Sequence, residues 1–153
     1  MAADAKRSRY QRIEVQLADL FRKTGNPVAR MATAAAVLHA KLPGLLWTGW
    51  YLLDGDDLVV GPYQGPLACL LLARHTGVCW AGVDGGETVI VPDVHAFPGH
   101  IACDSRSRSE IVVPLRNGSG RVVGVLDVDS AKPDHFDSVD GEMLERIARL
   151  IYL

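Results

Sequence analysis

The hydrophobic period of this chain changes twice, and that limits the folds open to it. Ile13, Leu17, Leu20 and Phe21 recur at a 3.6-residue spacing near the start, as do Val139, Met143, Ile147, Leu150 and Ile151 near the end. Between them, apolar residues alternate at a period of two or run in short blocks, the pattern of strands. Helical ends around a strand-rich middle predict an α+β domain, with the terminal helices sharing one face of a mainly antiparallel sheet. Its N-terminal helices cover about residues 7–42, the sheet and its loops about 45–130, and the last helix about 138–152.

Local signals subdivide that plan. Gly25-Asn26-Pro27 ends the first helix, and Pro27 suits the first position of a second, closed by Pro43-Gly44. Trp47–Leu53 and Leu58–Tyr63 read as a hairpin about Asp54-Gly55-Asp56. Ala68–Ala73 is an apolar run expected to be a strand. Gly77–Gly85 is a Gly-rich turn or short helix, and Thr88–Val91 is a strand cut by Pro92. Asp93–Ser107 has no apolar period and is expected to be a long loop. Glu110–Leu115 and Val122–Asp129 form a second hairpin across Asn117-Gly118-Ser119-Gly120. The sheet therefore holds about six strands.

The 153 residues suffice for one domain with a substantial core, and a hydrophobic fraction of 48% supplies it. The net charge of −2 gives no electrostatic footprint for nucleic acid. The longest charge-free run, residues 58–73, is 16 residues and broken by Pro62 and Pro66, too short for a membrane span of ~20. The basic N-terminus lacks the apolar stretch of an export signal. With three cysteines, Cys69, Cys79 and Cys103, an odd number, this points to reduced thiols in the cytoplasm.

The long loop concentrates reactive groups: His95, His100, Cys103 and Asp104, followed by Arg106 and Arg108. Nearby positive charge favours a thiolate, so Cys103 reads either as a nucleophile helped by His100, Arg106 and Arg108 or as a small buried apolar residue. His95, His100 and Cys103 are also ligand types that zinc accepts, without a recognised spacing. On the last strand, alternation places Val123, Val125, Asp127 and Asp129 on one face. Two acids continuing an apolar stripe are either a strand leaving the core or a pair with suppressed ionisation, and Glu110 joins them if the second hairpin forms. By the same alternation Trp47, Gly49 and Tyr51 share a face, leaving a slot across the glycine suited to a methyl or a partly positive sulfur, or else two core aromatics.

The segment Val91–Asp104 (VPDVHAFPGHIACD) resembles the signature of the free methionine-(R)-sulfoxide reductases, a GAF-domain family. Ser109–Pro114 (SEIVVP), Gly124–Ser130 (GVLDVDS), Trp47–Leu52 (WTGWYL) and Gly61–Cys69 (GPYQGPLAC) extend the likeness in order. The resemblance implies one GAF domain over residues 1–153, with helices on one face of the sheet and a loop-covered ligand pocket on the other. It implies reduction of free methionine (R)-S-oxide, with no metal or organic cofactor, thioredoxin as external reductant, and a tendency to homodimerise. Carried over by motif, Cys103 is the attacking thiol, Cys69 the resolving thiol and Cys79 an auxiliary one. Glu110, Asp127 and Asp129 are the acids of the substrate site, and Trp47 and Tyr51 its aromatic side. The chain departs from the family after Gly77-Val78-Cys79, where Trp80 brings bulk in place of small residues; that substitution is expected to reshape the entrance or move Cys79. A ligand-sensing GAF module and a thiol redox sensor are the competing functional classes.

Overall fold

The computed structural model describes residues 2–100 and 103–153. Its elements are α1 (Ala2–Leu20), α2 (Pro27–Lys41), β1 (Trp47–Asp54), β2 (Asp57–Gln64), β3 (Leu71–Leu72), α3 (Gly77–Gly85), β4 (Val89–Val91), β5 (Ser109–Arg116), β6 (Val122–Ser130) and α4 (Ser138–Arg149). The six strands form one antiparallel sheet in the order β3-β2-β1-β6-β5-β4. The two hairpins meet in the middle, because β1 pairs with β6. Among the described residues no helix is long and apolar enough to cross a membrane.

Alternation gives the sheet two different faces. Trp50, Ile111, Val113, Leu115, Leu126 and Val128 face α1, α2 and α4 and build the larger core. Trp50 is fully buried there and donates its indole N–H to the carbonyl of Met31 on α2, at 2.9 Å. Trp47, Tyr51, Val112 and Val125 face the other way, against α3 and the loops. The terminal helices thus share one face, and the second face is left for α3 and a cavity.

Capping fixes the helices in place. Asn26 accepts from the backbone N–H groups of Val28 and Ala29, with Pro27 opening α2. Asp137 caps α4, and Asp140 closes a capping box back to the Asp137 N–H at 2.8 Å. The turns that follow α4 are tied down from outside: Arg30 donates to the carbonyls of Leu150, Ile151 and Leu153.

Several boundaries differ from the sequence reading. α1 begins at Ala2, not near residue 7, because Lys6 pairs with Asp137 and Asp140 and Arg7 with Glu142, docking its polar first turns on α4. Regular α4 stops at Arg149, where the chain tightens into turns and takes the Arg30 cap. The Ala68–Ala73 strand shrinks to Leu71–Leu72, with Leu70 and Leu71 exposed, so the apolar run does not mark a buried strand. Gly77–Gly85 is the short helix, ended by Gly86 in the left-handed region at φ 65°. The long loop carries a 3₁₀ turn at Val94–Ala96, capped by Asp93.

Asp140 ties α4 to α1. It receives the Tyr10 hydroxyl at 2.6 Å and the Lys6 ammonium at 2.8 Å while closing the α4 box, and it is 5% exposed. Removing a buried acceptor of this kind leaves the Tyr10 hydroxyl unpaired. Asp140→Ala is expected to cost roughly 2–4 kcal/mol. Thermal unfolding should then show a midpoint about 5–15 °C lower; a shift under about 2 °C would show that the contact contributes little.

Candidate active site

The second face of the sheet is where the sequence-predicted residues converge. In the register of the sheet, Trp47 lies opposite Asp129, Gly49 opposite Asp127 and Glu110 opposite Asp129. Because these pairs share one face, β1, β5 and β6 bring two aromatics and three acids together. α3 crosses above them and lowers Cys79, in its first turn, toward the acids. The resulting cavity is lined by Trp47, Tyr51, Cys79, Cys103, Glu110, Asp127 and Asp129, together with Ser107 and His100.

The acids form its floor. Glu110 and Asp127 are each 5% exposed. Ser107 donates to Asp129 Oδ1 at 3.1 Å, and the Cys79 thiol approaches Glu110 Oε2 at 4.0 Å. Among the described residues no Lys or Arg lines the cavity. Burial raises all three carboxyl groups, and their mutual repulsion raises Glu110 and Asp129 further. Hydrogen bonds from its neighbours hold the rise of Asp127 in check, so it is raised less than Glu110 and Asp129. The Cys79 thiol is pushed up by burial and then by the acids around it. Burial, and then the neighbouring acids led by Asp127, also push Tyr51 up.

The cavity walls hold unmatched polar groups. Trp47 Nε1 and Asp127 Oδ1 are buried and have no hydrogen-bond partner among the described residues. A donor and an acceptor left open in one small cavity suit a ligand that is itself polar at both ends.

Two thiols are joined: a disulfide links Cys69 and Cys103, with Cα atoms 5.5 Å apart. Cys79 is the free cysteine and is buried. The expectation of three reduced thiols is thereby corrected for two of them. Tyr51 steadies the Cys69 side by donating its hydroxyl to the Cys69 carbonyl at 3.0 Å.

Other expectations change in detail. Trp47 and Tyr51 do line the cavity, but no open slot lies between them. Their rings stack at 5.7 Å, and Trp47 also stacks on Tyr63 of β2 at 5.2 Å. The Trp47 ring leans over Gly49, where a side chain would collide with it and with Tyr63. Of the three cations expected near Cys103, only His100 lines the cavity, and burial and the neighbouring His95 lower its pKa. Arg106 is spent on Asp104 in a two-pronged pair at 2.7 and 3.0 Å, which holds that carboxyl down at about 2. Trp80 does not line the cavity; it is 3% exposed, its ring 4.5 Å from His75, and Cys79 still reaches the acids. Of the Val91–Asp104 signature, Ile101 and Ala102 lie outside the described residues. Ser107 was not legible as a site residue, since one serine in a polar loop carries no pattern. Tyr63 could have been found from the hairpin register opposite Gly49.

Comparison with known proteins places this architecture. The GAF domain family model matches residues 28–152. A curated relative, the free methionine-R-sulfoxide reductase of Escherichia coli, is 41% identical over 120 residues, covering 78% of this chain and 72% of the relative. The chain is a member of the free methionine-(R)-sulfoxide reductase family. Among solved structures, that of the family's enzyme from Neisseria meningitidis in complex with its substrate is 43% identical with a TM-score of 0.88, covering 94% of this chain and 86% of that one. The reduced form of fRMsr from Staphylococcus aureus is 40% identical at a TM-score of 0.88, covering 94% and 92%. The GAF fold and the six-stranded antiparallel sheet expected from the sequence are both borne out.

In this reductase-family member the acid floor has a stability signature. A carboxyl group raised in the folded state binds more protons folded than unfolded. Its contribution is therefore intact below the unfolded pKa of about 4 and is lost as pH rises through the folded value. The lowered histidines, His39 and His100, act in the opposite sense between pH 5 and 8, so the informative quantity is a difference between proteins. In urea unfolding of the oxidised protein at pH 5 and pH 8, Glu110→Gln should gain stability relative to the unsubstituted chain as pH rises. An equal difference at both pH values would mean that Glu110 ionises in the fold as it does in water.

Proposed function

We propose that this protein reduces free methionine (R)-S-oxide to methionine, working in the cytoplasm with thioredoxin as reductant and needing no metal or organic cofactor. The observation that carries the reading is the meeting of Cys103, already bonded to Cys69, with a cavity floored by the buried Glu110 and Asp127 and the half-buried Asp129. Membership of the family and the likeness to a relative solved with its substrate support it.

In this reading the methyl-sulfinyl end lies against Trp47 and Tyr51. A protonated Glu110 or Asp129 donates to the sulfoxide oxygen, drawing electrons from sulfur. Such general-acid help typically contributes 10²–10⁴-fold. Cys103 as thiolate supplies the electron pair: the substrate S–O bond breaks, methionine sulfur is reduced by two electrons, and Cys103 leaves as sulfenic acid. The Cys69 thiol then attacks the Cys103 sulfur and expels water, giving the disulfide seen here. Thioredoxin's dithiol returns both thiols by exchange. The ionised Asp127 pairs with the α-ammonium of the free amino acid, which a peptide-bound residue lacks. Cys79 takes no electron-transfer step, because its raised pKa and burial keep it a thiol.

The test is thioredoxin-coupled turnover on separated epimers of free methionine sulfoxide, with the N-acetylated, amidated R form beside them. Only the free R epimer should turn over. Cys103→Ser should lose even a single turnover, and Cys69→Ser should yield about one methionine per chain without recycling. Retained single-turnover activity in Cys103→Ser would remove it as the nucleophile. Binding of the sulfoxide without turnover in the unsubstituted protein would replace the reductase reading with a sensing one.

A further inference from the structure

The floor of the cavity holds one group that the proposed reaction does not consume, the Cys79 thiol, and holds it among acids. Cys79, Glu110 and Asp127 each offer a donor atom, and these atoms all lie within 4.8 Å of one another. They come from α3, β5 and β6, three elements that pack together, so the group is held on rigid backbone rather than on a loop. All three residues are buried, at 6%, 5% and 5% exposure.

An acidic cluster alone is no evidence of a ligand. Here a second observation points the same way: Asp127 Oδ1 is buried with no hydrogen-bond partner among the described residues. A buried carboxylate oxygen left open beside a thiol and a second carboxyl group, with no Lys or Arg among the described residues of the cavity wall, is a demand for positive charge. Protons meet it in part. A metal ion would meet it fully.

The geometry points to a site for a thiophilic divalent cation of the zinc class, held by Cys79 Sγ, a Glu110 carboxylate oxygen and Asp127. The donor set selects the metal. Calcium and magnesium prefer all-oxygen shells and more ligands, whereas zinc accepts thiolate and carboxylate together and commonly leaves a fourth position open. At ordinary zinc bond lengths the sulfur-to-oxygen edge of a tetrahedron is about 3.6 Å. Cys79 Sγ and Glu110 Oε2 stand at 4.0 Å, and all three donor atoms lie within 4.8 Å of one another, so closing round an ion draws them together by a few tenths of an ångström on that edge and by up to about 1.5 Å on the others. Binding releases the thiol proton and the proton held by Glu110, and the open fourth position faces the cavity. Because the ion occupies the floor on which the α-ammonium would sit, it and a free amino-acid ligand exclude one another.

The disulfide makes the experiment clean. With Cys69 and Cys103 bonded, Cys79 is the chain's remaining thiol. Cobalt(II) titrated into the oxidised full-length chain should give a thiolate-to-metal charge-transfer band saturating at one ion per chain, and zinc should bleach it. Cys79→Ser should abolish the band, and Glu110→Gln and Asp127→Asn should each weaken cobalt binding at least tenfold. Asp129→Asn, beside the site but outside the ligand set, should keep the band and so control for folding. No band at millimolar cobalt would overturn the site. So would a band whose affinity ignores both carboxamide variants, since that is a lone cysteine binding metal. The readout involves no turnover, so it stands or falls separately from the reductase reading.

Discussion

Three carboxyl groups side by side, two buried and one half-buried, with no lysine or arginine among the described residues of their cavity, set the terms for this molecule. Charged, they would repel one another in a medium that screens poorly, and the face of the sheet that carries them would be unstable. Sharing protons resolves the conflict, and the sharing has a direction. Asp127, held back by its neighbours' hydrogen bonds, is raised least, and Glu110 and Asp129 are raised furthest. That order favours one negative point beside two acidic hydrogens in the same small space. Such a division of labour is what a zwitterion with a polar sulfur–oxygen bond requires.

The sheet arranges this by register rather than by any special backbone. Asp127 and Asp129 are neighbours on β6 by simple alternation, and Glu110 meets Asp129 across the β5–β6 hairpin. β1 then supplies Gly49 opposite Asp127 and Trp47 opposite Asp129. Gly49 matters because the Trp47 ring occupies the space its side chain would fill. The opposite face is committed to helices, and the Trp50–Met31 bond ties the centre of the sheet to α2. The work of stabilising the domain is therefore concentrated on one face and leaves the other free to hold groups that do not stabilise it.

Much of this was legible in the residues. The alternation of Val122–Asp129, the Gly-rich turn before it and the Glu110 strand allow the acid cluster without any knowledge of relatives, but the same pattern equally fits a strand leaving the core. The pairing of β1 with β6 was not legible, because the two strands are far apart in sequence and neither carries a local mark of its neighbour. Without that pairing, Trp47 and Tyr51 looked like the sides of a slot; Tyr63, arriving from β2, turns them into a stack. The Ala68–Ala73 run misled for a different reason. Apolar composition signalled burial, but Leu70 and Leu71 face outward and the segment is tied down by a covalent bond at Cys69. Arg106 looked like an activator of Cys103 by proximity in sequence, yet its nearest acid, Asp104, claims it. The thiol roles came from the family likeness alone, since cysteine spacing does not say which sulfurs meet.

The bond between Cys69 and Cys103 also has a meaning for the unfolded chain. It closes a ring across a sequence separation of 34 residues, and a ring of that size removes about 4 kcal/mol of conformational freedom from the denatured ensemble. The ring contains β3, α3 and β4, which are the short elements that roof the cavity and edge the sheet. If the bond opens and closes with each turnover, the protein alternates between two stabilities: cross-linked and harder to unfold while it awaits an electron donor, looser in its roof once its thiols are free to meet the next ligand.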